Sequence, residues 1–167
     1  MGVLAIQRFP DPLLKRQTRS IERIDDELQT VIEAMVQTMH HHPRCVGLAA
    51  PQVGRPLRLA VMDASRHPKA ASSHGLLVLV NPHLTAAEGS VLQREGCLSI
   101  PDFTANVRRA LRVRLRALDR TGSPREWWLE GFEAIVAQHE VDHLDGKLFL
   151  DRVASLKTDV FKRKTYW

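Results

Sequence analysis

The chain has 167 residues, 44% of them hydrophobic and 26% charged, enough to bury a core of its own and unlike a disordered or fibrous protein. Two cysteines exclude a disulfide framework, no apolar run nears the ~20 residues of a membrane span, and no long apolar stretch opens the chain as in a secretory leader, so a cytoplasmic (or organelle-matrix) protein is expected. The net charge of +5 is uneven: 102–125 holds seven Arg against two Asp, 146–167 six Lys or Arg against two Asp, and 126–145 six acids with no Lys or Arg, a pattern that suits an anionic partner outside and a cation inside.

The spacing predicts a helix over 26–40. Asp25 can cap it, Leu28, Val31, Ile32, Met35 and Met39 recur on one face, and Pro43 follows the solvated His40, His41 and His42. CVGLAAPQVG at 45–54 reads as tightly packed irregular backbone. Buried strands are expected at 57–63 and 76–81, with a surface loop between them. From 107 to 118 the alternation of Leu111, Val113 and Leu115 with Arg112, Arg114 and Arg116 predicts one strand with a buried face and an arginine face. A turn at 119–123, a returning strand around Trp127 to Leu129 and a helix over 132–144 complete the reading. Short turns and an excess of strands point to an α+β fold, antiparallel sheets packed around one central helix with an N-terminal helix beside them.

The strongest chemical signal is His139-Glu140-Val141-Asp142-His143. Two His at i and i+4 share one helix face and leave room for a cation between their rings, while Glu140 sits where it can serve as a base without ligating. The neighbours Ala134, Ile135, Val136 and Leu144 imply burial. The third ligand is not settled by this motif. The extended HExxHxxGxxH pattern holds through Gly146 but ends on Phe149, and no Glu, His or Cys follows His143. The ligand is therefore expected upstream. Cys97, in EGCLSIP where Gly96 permits a close approach, leads, and Cys45 is its rival.

CVGLAAPQ (45–52), EGCLSIP (95–101) and QHEVDHLDG (138–146), in this order, resemble the three signature motifs of the peptide deformylase family, and the likeness runs from the N-terminal segment to LFLDR at 148–152. The resemblance implies a single catalytic domain over 1–167, with 146–167 as a basic tail. It implies Cys97, His139 and His143 as ligands of one divalent ion, Fe²⁺ in the family with Zn²⁺, Ni²⁺ or Co²⁺ accepted. The implied reaction removes the formyl group from the N-terminal formyl-methionine of nascent polypeptides. Metal-bound water attacks, Glu140 acts as general base and then acid, and the Gln52 side-chain amide and the Leu98 N–H stabilise the oxyanion. Two departures stand out: Cys45 where many members have Gly, and Asp102-Phe103-Thr104 where many carry a basic residue.

A slot beside small Gly47 would exclude acetyl, and Val46, Leu98, Phe132, Ile135 and Val136 are expected to line a methionine pocket. Glu95 is expected to pair with Arg109 and so brace the Cys97 segment, with Gln138 and Asp142 as further supports. The basic surface suggests weak ribosome association; neither a membrane nor a specific nucleic-acid sequence is expected as a partner. Two other readings compete: a metallopeptidase, which shares the HExxH helix but needs neither of the other motifs, and a metal-stabilised basic module that binds RNA.

Overall fold

The computed structural model describes residues 2–164. Helix α1 (Asp26–His41) starts where Asp25 accepts a hydrogen bond from the Leu28 N–H, 3.0 Å away. Asp26 and Glu27 in its first turn and His40 and His41 in its last complement the helix dipole. Its apolar stripe, Leu28, Val31, Ile32, Met35 and Met39, is buried in one cluster with Leu48, Leu59 and Val61.

Among the described residues, eight strands form two antiparallel sheets. The larger has the order β1-β2-β3-β6-β7, built from Gly47–Ala49, Leu59–Asp63, Leu76–Glu88, Arg112–Leu118 and Pro124–Glu130. The smaller has the order β4-β5-β8, built from Val91–Cys97, Ile100–Arg109 and Val160–Lys162. Strand β7 runs directly into helix α2 (Gly131–Leu144), whose residues are buried on almost every side, so it is a core helix and not an amphipathic cover. Helix α2 stops at Gly146, where φ is +74° and a Cβ would stand 2.7 Å from the Lys15 carbonyl oxygen; only glycine permits that approach.

The expected α+β class and central helix are therefore present, and three local readings need correction. Residues 107–118 are not one strand: β5 ends at Arg109, Ala110 and Leu111 connect, and β6 begins at Arg112. The two-residue connection preserves parity, so Val107 and Arg109 on one strand and Val113 and Leu115 on the next are all buried, and the alternation runs through the break. Leu111 is consequently 45% exposed at the connection and not part of the buried face. The 45–54 segment is more regular than expected, containing β1 and a 3-10 turn over Ala50–Val53.

Both ends of the chain reach the centre. The Gln7 and Phe9 N–H groups donate to the carbonyls of Gln52 (2.7 Å) and Ser99 (2.8 Å). Leu148 and Phe149 pack in one core cluster with Leu14, Cys97 and Ile100. Among the described residues, no helix is long and apolar enough to cross a membrane.

Candidate active site

Three elements bring the chemistry together. Helix α2 supplies His139, Glu140 and His143; the β4–β5 hairpin supplies Cys97 at its tip; and the 3-10 turn after β1 supplies Gln52. A register irregularity between Glu95 and Cys97, at Gly96, turns the hairpin tip toward the helix.

The His139 and His143 Nε2 atoms are 3.2 Å apart, and Cys97 Sγ is 3.3 Å from the His143 Nε2. The donor atoms of Cys97, His139 and His143 all lie within 4.8 Å of one another. Cys45, the rival thiol, is not in this cluster: its Sγ donates to the Gly47 carbonyl, 3.2 Å away. Burial, reinforced by the nearby Glu140 carboxylate, pushes the Cys45 thiol up to about 12, so it stays protonated at neutral pH.

The arrangement fits a cation. Three lone-pair donors crowded into a buried site repel unless a positive charge lies among them, and a thiolate with two imidazoles is a donor set for a borderline divalent metal. The backing is equally specific. His139 Nδ1 donates to Glu95 Oε1 at 2.8 Å, which fixes the ring so that Nε2 faces the cluster. Burial alone would raise the Glu95 pKa, but the Arg109 guanidinium and His139 outweigh it and hold the carboxyl down at about 2. Arg109 reaches Glu95 through two bonds of 2.7 and 2.9 Å and Asp142 through a third of 2.7 Å. Burial also lowers the His143 pKa well below its ordinary value, favouring the neutral imidazole.

Glu140 is 3% exposed, and burial raises its carboxyl to about 7. Its Oε2 has no hydrogen-bond partner among the described residues. A Cβ on Gly47 would stand 2.4 Å from Glu140 Oε1, so the carboxylate occupies the space that glycine leaves. Gln52 is aimed by its surroundings: Oε1 accepts from the Ala49 N–H at 3.0 Å, which directs Nε2 toward Cys97 Sγ (3.3 Å) and the Ser99 hydroxyl (3.2 Å).

One cavity joins these groups. Gln52, Cys97, Leu98, His139 and Glu140 line it together with Val46, Gly47, Phe132, Ile135 and Val136.

A family model described as polypeptide deformylase matches residues 3–159. The chain belongs to the peptide deformylase family. The peptide deformylase of Syntrophobacter fumaroxidans is 43% identical over 164 residues, 98% of this chain and 94% of its own. The crystal structure of the Legionella pneumophila peptide deformylase superposes with a TM-score of 0.84 at 42% identity, covering 93% of this chain and 88% of its own. A Met-Ala-Ser-bound class I type b peptide deformylase from Acinetobacter baumannii gives a TM-score of 0.84 at 32% identity, covering 90% and 98%. Peptide deformylases are metal-dependent hydrolases, and the Cys97, His139 and His143 cluster of this chain could hold a metal ion.

Not every neighbour expected of the peptide deformylase site is in place. Gln138 does not back the cluster; its side chain ties α2 to both backbone groups of Ala110, at 2.9 Å each. Sequence reading also passed over several residues. Arg152 donates to Asp142 from the tail (2.8 and 3.1 Å), the Phe149 ring stacks on His139 with centroids 6.4 Å apart, and buried Ser99 contacts Gln52. Ser99 lies inside EGCLSIP, and Phe149 and Arg152 lie inside LFLDR, but nothing in those motifs signals the contacts they make with Gln52, His139 and Asp142.

Proposed function

We propose that this protein hydrolyses the formyl group from the N-terminal formyl-methionine of nascent polypeptides, with Cys97, His139 and His143 holding one divalent ion, Fe²⁺ in the native state. The observation that carries the reading is that Glu140 and Gln52 line one cavity with Cys97 and His139, whose donor atoms cluster within 4.8 Å with that of His143. The bound ion supplies Lewis acidity, which makes water nucleophilic near neutral pH.

The protein's own groups do the rest. Glu140 accepts the proton of the attacking water as the C–O bond forms and the carbonyl oxygen takes up the negative charge, then returns the proton to the leaving nitrogen as the C–N bond breaks, releasing formate and a free amine. Burial keeps this carboxyl near the pKa that such a two-way transfer needs. Gln52 Nε2 and the Leu98 N–H donate to the oxyanion, and the hydrogen bond from Ala49 holds the Gln52 amide in the required sense. Gly47, whose missing side chain makes room for Glu140 Oε1, lines the cavity, and exclusion of acetyl by close backbone beside the ion is part of the same reading. Val46, Phe132, Ile135 and Val136 offer an apolar pocket for the methionine side chain. Met-Ala-Ser, held by the Acinetobacter baumannii relative, has the form of a deformylated product.

Both cysteines are free and buried, which supports a reducing, cytoplasmic setting. Weak ribosome association through basic surface is part of the same reading, but the β6 arginines are poor candidates for it. Arg112 pairs with Glu130 (3.1 Å), Arg116 pairs with Glu126, and Arg114 donates to Thr85 (2.9 Å). Exposed Lys162 on β8 is better placed.

The test is formate release from formyl-Met-Ala-Ser by wild type and Glu140→Ala. Wild type releases formate and the variant does not. Cleavage of unformylated peptides would instead favour a metallopeptidase.

A further inference from the structure

The surface loop between β2 and β3 touches both walls of the cavity. Arg66 Nη1 donates to the Cys45 carbonyl at 2.8 Å, on the wall that continues into Val46 and Gly47. The His67 ring lies over Phe132 with centroids 4.6 Å apart and planes at 31°. His74 binds Glu133 twice, through its N–H (2.7 Å) and its Nδ1 (2.6 Å), and Glu133 is only 2% exposed. Phe132 and Glu133 are the second and third residues of α2, where intrahelical hydrogen bonds hold the backbone least. Phe132 lines the cavity and packs against the core cluster that holds Met62, Leu79 and Val136, and the His67 ring of this loop lies against it as well.

We propose that His67 is a positioning residue that sets substrate selectivity: by stacking on Phe132 it fixes the wall of the pocket for the first side chain, with Arg66 and His74 anchoring the loop to the two walls. The inference rests on the reading of the cavity as the seat of that side chain. An aromatic ring at the start of a helix has rotameric freedom unless another group closes its outer face. An offset aromatic contact supplies that closure with a defined geometry. Without it Phe132 can swing outward, the pocket deepens, and discrimination between methionine and a bulkier side chain weakens. The chemical step, set by Glu140 and Gln52, is untouched.

Steady-state kinetics on formyl-Met-Ala-Ser and formyl-Phe-Ala-Ser test this with wild type, His67→Ala and His67→Phe. For His67→Ala the KM for the methionine peptide rises about fivefold with kcat unchanged, and the ratio of kcat/KM for methionine over phenylalanine falls by a similar factor. His67→Phe, which keeps a ring over Phe132, restores both values. The proposal is overturned if His67→Ala leaves KM and the ratio unchanged, or if it lowers kcat equally for both peptides without rescue by phenylalanine. Wild-type protein that releases no formate would fail at the functional reading itself and take this inference with it.

Discussion

Glu95 stands behind His139, its Oε1 2.8 Å from the Nδ1 of the ring, while both its oxygens are gripped by Arg109. The carboxylate thereby orients a ligand without touching the ligand atom. Glu95→Ala is expected to weaken metal retention by about 10- to 100-fold. Competition with a chelator measures it, and unchanged retention would reject the role.

The same arginine also binds Asp142, which Arg152 approaches from the tail. Asp142→Ala removes the shared acceptor and leaves Arg109 buried with one partner. The expected loss is about 3 kcal/mol in urea unfolding. Asp142→Asn keeps an acceptor and loses less; equal losses for the two variants would contradict the argument.

Gly47 and Glu140 compete for one volume, since a methyl group on Gly47 would stand 2.4 Å from Glu140 Oε1. Gly47→Ala should displace the carboxylate by roughly an ångström and lower kcat on the order of 100-fold. Kinetics beside a near-ultraviolet circular dichroism spectrum separates this from misfolding.

Cys45 and Cys97 line the same cavity but differ in placement. Cys97→Ser is expected to abolish stoichiometric metal binding, and Cys45→Ser to leave one ion per chain. Elemental analysis of both variants decides; loss of metal from Cys45→Ser would show that the wrong sulfur has been chosen.

Iron beside a thiolate is open to oxidation in a way that nickel is not. Iron-loaded protein should lose activity in air over hours while nickel-loaded protein keeps it. Equal stability of the two forms counts against Fe²⁺ as the labile native ion.

The parts of this molecule that could be read in advance are those whose chemistry is local. The His139 and His143 spacing is set by one helical turn, and the α1 stripe by the same periodicity. The choice between Cys45 and Cys97 was not local: it depends on the β4–β5 register and the irregularity at Gly96, which residue types alone do not determine. The break at Ala110 and Leu111 was hidden because both flanking strands keep the same parity of burial. His67, His74 and Arg152 belong to segments with no periodic pattern, and only tertiary placement gives them partners.

Because Gln7 pins Gln52, Phe9 pins Ser99, and Phe149 covers His139, the reaction centre draws on segments separated by more than half the polypeptide. A ribosome synthesising this enzyme cannot release a working fragment: until the late helix and the stretch beyond it emerge, the early motifs have nothing to close upon. The complete Cys97, His139 and His143 donor set therefore exists only once the late helix has met the β4–β5 hairpin.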